Sequence, residues 1–165
     1  MEKFEKNKLT IRKACSGDVV AILEMVQELA DFEKLGDEMI ATEADYQESL
    51  FGEKPVAEAL IAEFDGGLFG YAIFFSTFST FVGRAGIWLE DLYVKQSFRK
   101  QGIGKKLLKA VGTIAEERNA GRYEWCVLDW NHHAIDLYEQ MGGKIMKEWR
   151  IVRLDRNGIE ALPEK

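Results

Sequence analysis

The sequence predicts an α/β fold: a mixed, mostly antiparallel sheet with one parallel βαβ pair and flanking helices. Three observations carry this reading. Apolar residues switch repeatedly between period-2 and period-3.6 spacing along the 165 residues. Asp65-Gly66-Gly67 parts two apolar runs, the turn chemistry of an antiparallel hairpin. Two strand-like runs, 86–94 and 123–130, are joined by a long amphipathic helix, and such a crossover makes its strands parallel. With 47% hydrophobic residues, a single domain spanning 1–165 can bury its core without disulfides or a structural metal.

In chain order, "KLTIRKA" (8–14) alternates as a short strand. Ser16 or Asp18 then caps a helix over 19–34, whose Val19, Ile22, Leu23, Val26, Leu29 and Ala30 share a face. Thr42 and Asp45 form a capping box opening a second helix, which stops near Gly52 ahead of Pro55. Strands follow at 56–64 and 68–78, either side of the hairpin turn, and at 86–94. "GIGKKLLKAVGTIAEERNA" (102–120) is the crossover helix and "YEWCVLDW" (123–130) the parallel strand. "HHAIDLYEQM" (132–141) is a short helix stopped by Gly142-Gly143, and "KIMKEWRIVRLD" (144–155) a last strand. The aromatic series Phe69, Tyr71, Phe74, Phe75, Phe78 and Phe81 is expected mainly in the core.

The net charge is −6, yet residues 95–122 hold eight basic residues against Glu116 and Glu117 alone. That segregation suits a small anionic ligand on the basic segment and a cationic one elsewhere, while an acidic whole disfavours nucleic acid. Cys15 and Cys126 stand far apart in no metal-ligand spacing and are expected as reduced, mostly buried thiols. His132 and His133 are adjacent at a helix start and cannot share a face as zinc ligands do, so no metal is predicted. There is no run of 18 apolar residues, and "MEKFEKNKLTIRK" lacks the apolar stretch of a signal peptide; a cytoplasmic protein without a membrane partner is expected.

The basic segment sharpens where strand gives way to helix, at Arg99-Lys100-Gln101-Gly102-Ile103-Gly104. Glycines there let backbone N–H groups approach a phosphate with a helix dipole behind them. The dinucleotide-binding G-x-G-x-x-G is excluded because its third glycine position is Leu107, and no G-x-x-x-x-G-K-[ST] loop occurs.

The R-x-x-G-x-G pattern resembles the pyrophosphate loop of the GNAT superfamily of N-acetyltransferases, and the predicted element order is similar to the GNAT fold over nearly the whole chain. "ELADFEKL" (28–35), "FGEKP" (51–55), "WLEDLYV" (88–94) and "VLDWNHHAIDLY" (127–138) resemble the diamine acetyltransferases, especially their thialysine N-ε-acetyltransferase branch. Polyamine-preferring members often carry an acid and a proline where this chain has "STFV" (79–82), which turns the expectation towards a thialysine-like acceptor. The resemblance implies acetyl-CoA as co-substrate, a small cationic amine as acceptor, and a homodimer whose strands near the C-terminus cross between subunits.

It also implies roles for residues. The pyrophosphate falls to the backbone of Gln101, Gly102, Ile103, Gly104 and Lys105, with Arg99 and Lys100 nearby. Leu92, Tyr93 and Val94 pair with the pantetheine arm, provided the strand at 123–130 splays away. Tyr138 matches the general acid that protonates the departing thiolate, beside the cofactor. Asn131 either touches the cofactor arm or caps the short helix. An alkylammonium of pKa about 10.4 is roughly one part in 2,500 neutral at pH 7, so the site needs a proton acceptor or a field that does not over-stabilise the cation. Glu90 is the matching acceptor, directly or through water. Asp91, next along the strand, is expected on the opposite side as a surface or interface charge. Phe32 and Glu33 match positions lining the acceptor pocket, Glu33 reading the distal charge. Two alternatives stand: a protein lysine or N-terminal acetyltransferase on the same fold, and a non-catalytic acyl-CoA sensor, against which Tyr138 and Glu90 argue.

Overall fold

The structure, a computed structural model, describes residues 9–164. The chain divides into two compact units, residues 1–126 and 127–165. The first comprises β1 (Leu9–Lys13), α1 (Val19–Glu33), α2 (Glu43–Phe51), β2 (Glu58–Phe64), β3 (Gly67–Ser79), β4 (Arg84–Val94), α3 (Ile103–Glu117) and β5 (Tyr123–Trp125). Its sheet runs β1-β2-β3-β4-β5, antiparallel throughout except for the parallel β4–β5 pair.

Local chemistry explains the connections. The β2–β3 hairpin closes on Phe64 and Gly67, with Asp65 at φ 49° and Gly66 at φ 77°. A two-residue turn of type I′, whose twist suits its strands, needs both central residues left-handed, which Asp-Gly tolerates. Thr42 Oγ1 accepts the Asp45 N–H while the Asp45 carboxylate accepts the Thr42 N–H, closing the predicted capping box of α2. Ile22, Met25 and Val26 of α1 and Leu50 of α2 bury one sheet face with Ile61, Tyr71, Ile73 and Tyr93. Met25, rather than the expected Leu23, completes the α1 stripe. On the other face α3 buries Ile103, Leu107, Leu108 and Val111, with Leu107 and Val94 crowding Gly70. Each of these large aliphatic side chains contributes about 1.5–3 kcal/mol by leaving water.

Several sequence expectations are corrected. The parallel strand ends at Trp125 instead of residue 130, because residues 127–131 turn: the Asn131 N–H donates to Leu128 O and its side chain caps the next helix. Cys15 and Cys126 are exposed, each lying just past a strand end. Tyr71 and Phe74 are buried, but Phe78 and Phe81 stand in solvent, because the β3–β4 hairpin outruns the core. In the second unit, α4 (His132–Gln140) and α5 (Arg156–Glu160) form, but no strand spans 144–155. Its period-2 pattern marks a surface suited to half burial, yet a strand needs a neighbour to pair with, and here Met146, Trp149, Ile151 and Val152 are exposed. Among the described residues no helix is long and apolar enough to cross a membrane.

Asp18 ties β1 to the start of α1. It does not cap the helix; its carboxylate instead accepts Arg12 Nη1 at 2.7 Å, Arg12 Nη2 at 2.8 Å and the Cys15 N–H at 2.8 Å. Arg12 Nε reaches across to Glu63 on β2. The Arg12 guanidinium holds the Asp18 carboxyl down at about 2, against the opposing effect of burial. With its folded pKa below the unfolded value, Asp18 stabilises the fold above about pH 4, and that stabilisation is lost as pH falls towards 2. Asp18→Asn is expected to cost about 1–3 kcal/mol near neutrality. Urea melts from pH 7 to 2 test this: the gap to the parent protein should close below pH 4, and a constant gap would remove the ion pair from the explanation.

Candidate active site

β4 holds the chemistry, and a bulge decides how. Ile73 pairs with Asp91 and Phe74 with Leu89, so Glu90 is one residue too many in β4. Such an insertion resets the alternation of side chains. Glu90 and Asp91 therefore line the same cleft, about 220 Å³ in volume, with Ile73 of β3 and Asp45, Tyr46 and Ser49 of α2. The expectation that the two acids face opposite sides is thus corrected. Asp91 enters the site, a residue that the sequence reading left on the surface.

The cleft gathers negative charge in a partly dry place. Burial pushes the Asp91 carboxyl up to about 6, helped by the nearby charges of Glu90 and Glu33. Tyr71 Oη, buried without a well-formed hydrogen bond, lies against Asp91 and is the one influence favouring its ionised form. Burial, then the charges of Asp91 and Glu90, push the Tyr46 phenol up to about 12, so it stays protonated. Glu33, at the last position of α1, is itself raised by burial. Glu90 is exposed, and one of its carboxylate oxygens accepts Trp88 Nε1 at 2.9 Å. Ser79 is buried and its hydroxyl accepts the Val82 N–H, so it closes the hairpin turn instead of facing an acceptor.

The turn expected to take a phosphate is open and sharply bent. Lys100 and Gly102 are left-handed at φ 62° and 84°, and α3 begins at Ile103 with no side-chain cap and no acid in its first turn. Its first internal bond runs from the Lys106 N–H to Gly102 O, which leaves the earlier N–H groups aimed off the helix end. A Cβ on Gly102 would meet nothing within 4 Å, and one on Gly104 only Val94 Cγ2 at 3.8 Å. Packing within the chain does not require either glycine's missing side chain, so the open space suits an approaching pyrophosphate. Upstream, the β4–β5 ladder covers Ile87 to Leu89 and stops, leaving residues 90–94 without a strand partner on that edge among the described residues. Leu92, Tyr93 and Val94 lie in this stretch.

Arg99 turns inward. Its Nε donates to Val94 O at 2.9 Å, and its guanidinium lies 5.0 Å from the Phe32 ring centre and 5.4 Å from that of Tyr93. In the second unit, Asn131 caps α4 by accepting the Ala134 N–H at 3.3 Å, the capping half of its two expected roles. Tyr138 is half-buried on α4.

Residues 23–143 match the Acetyltransferase (GNAT) family. The chain is 36% identical to a thialysine N-epsilon-acetyltransferase of Sus scrofa, covering 94% of this chain and 97% of the relative. It is 28% identical to an L-ornithine N5-acetyltransferase of Arabidopsis thaliana, covering 92% of this chain and 86% of that one. Among solved structures, an integron cassette protein from V. cholerae superposes with a TM-score of 0.79 at 25% identity, over 96% of this chain and 99% of the other. The chain belongs to the GNAT acetyltransferase family, and with it to the acetyl-CoA-dependent N-acetyltransferases.

Gly104→Val adds bulk to the turn where the protein itself leaves room. Acetyl-CoA affinity measured by calorimetry should fall about tenfold or more, with the melting temperature almost unmoved. Unchanged affinity would take the turn out of cofactor binding.

Proposed function

We propose that the enzyme acetylates the primary amine of a small cationic acceptor, of the thialysine, diamine or polyamine class, by direct transfer from acetyl-CoA, with thialysine-like acceptors ahead of spermidine-like ones. The observation that carries this reading is the cleft that Glu90 and Asp91 share. An ammonium is drawn to paired carboxylates, and removing its proton then needs a base that is ionised yet not too weak. Asp91, at about 6, meets that description at neutral pH, and Glu90 stands beside it. The relatives named above, which act on thialysine and ornithine by name, support the same class of acceptor.

Acetyl-CoA supplies the activated acetyl group. The chain's own part is to hold the pyrophosphate on the first N–H groups of α3, to align the arm along residues 92–94, and to take a proton from the amine at Glu90 or Asp91. Tyr138 is proposed as the general acid on the resemblance of residues 127–138. A phenol of pKa about 10 can protonate a thiolate of pKa about 8.5 only when pressed against it, so position outweighs pKa. Both units are proposed to work as one acetyltransferase domain. The protein is proposed to act as a homodimer, a reading supported by the apolar side chains that 144–155 leaves exposed in the single chain.

Below about pH 6 the amine kcat/KM should fall as Asp91 takes up a proton, and Asp91→Asn should abolish that limb along with most of the activity. Tyr138→Phe should lower kcat by ~10²-fold with little change in acetyl-CoA affinity. An unaltered limb would return the role of base to Glu90 alone, and a fully active Phe variant would make Tyr138 a packing residue. Light scattering should give twice the chain mass; a monomer across a wide concentration range would end the dimer proposal.

A further inference from the structure

We propose that Arg99 is a positioning residue that locks the acceptor-side end of α1 to the cofactor turn, and not a ligand of the pyrophosphate. The inference rests on the amine-acetyltransferase reading above, whose two substrates these segments would serve.

The geometry is a chain of contacts between α1 and residues 93–99. Tyr93 Oη donates to Glu28 Oε2 at 2.8 Å, and Lys95 Nζ lies 3.6 Å from Glu28 Oε1. One helical turn further on, the Arg99 guanidinium lies 5.0 Å from the centre of the Phe32 ring and 5.4 Å from that of the Tyr93 ring. Nε of the same guanidinium is spent on Val94 O, the last residue of β4. A planar cation held by a backbone carbonyl and two ring systems is oriented by them. It sits at the hinge between the strand that takes the pantetheine arm and the turn that takes the pyrophosphate. Glu33 follows Phe32 directly, and its charge reaches Asp91. Anything that fixes residues 94–105 in place, as a bound nucleotide would, therefore also fixes Phe32 and Glu33 through Arg99. Neither residue lines the cleft itself; an acceptor drawn to Glu90 and Asp91 instead meets a Glu33 charge already held in place beside them, and loses less freedom on binding.

Calorimetry with CoA and a cationic amine tests this without turnover, since CoA carries no acetyl group to transfer. In the parent protein the amine should bind several-fold more tightly to the CoA complex than to the free protein, and CoA should gain by the same factor from the amine. Arg99→Lys keeps the charge but loses the planar fork, and Phe32→Leu keeps apolar bulk but loses the ring. Each should bring the coupling factor near one and raise the amine KM by that same several-fold factor, with CoA affinity in the absence of amine changed less than about threefold. The double variant should be no worse than either single variant. Equal coupling in parent and variants would overturn the proposal. So would an Arg99→Lys variant that weakens CoA binding tenfold while its amine affinity stays intact, because Arg99 would then be an anion ligand. A parent protein that binds CoA but no cationic amine would instead overturn the acceptor reading itself. Melting temperatures of both variants report whether each is folded, and Phe32→Leu carries the test if Arg99→Lys is not.

Discussion

β4 contains one residue more than β3 can pair, and the rest of the site follows from where that residue sits. Regular pairing continues on both sides of it, from Gly70–Val94 at one end to Ser79–Arg84 at the other, so the irregularity is confined to Glu90. Without it, strand alternation would put Glu90 and Asp91 on opposite faces of the sheet. With it, two carboxylates share a half-dry cleft with a third close by. Such crowding of like charge opposes itself and is relieved by partial protonation. A cationic guest would relieve it in the same way, which is why a site of this kind is unfavourable when empty and selective when filled.

The positive end of the site is built by different means. It offers the backbone N–H groups of an uncapped helix start beside lysines, and the protein leaves its glycine positions sterically open. The two ends lie on one strand. Four residue steps lead from Glu90 to Val94, about 13 Å at the rise of an extended chain. The sheet therefore serves as a ruler between a place that favours anions and a place that favours cations. The sequence-level segregation of charge is the one-dimensional trace of that arrangement.

Much of this was legible in the residues. The Asp65-Gly66 turn, the Thr42–Asp45 capping box, the α1 and α3 stripes and the parallel crossover all follow from short-range chemistry, and short-range chemistry is what a sequence displays. The glycine turn was legible for the same reason. Asp91 was not, because a bulge is chosen by how two strands fit together, and no residue at 89–91 announces it. The strand expected at 144–155 failed for a related reason: alternation describes the surface that a segment would like to cover, without saying which partner supplies the other half. Cys15, Cys126, Phe78 and Phe81 were misplaced because residue type predicts burial only where the element it belongs to stays over the core.

The end of the β4–β5 ladder at Leu89 has a consequence for handling the protein. Among the described residues no strand covers 90–94 on that side, and a strand edge left uncovered is a template for any other extended chain, including another copy of the same protein. If a pantetheine arm occupies residues 90–94, it shields that edge. The ligand-free protein would then be the form with the greater tendency to associate wrongly during concentration and storage, and the co-substrate would act as a solubilising agent before it acts as a reactant.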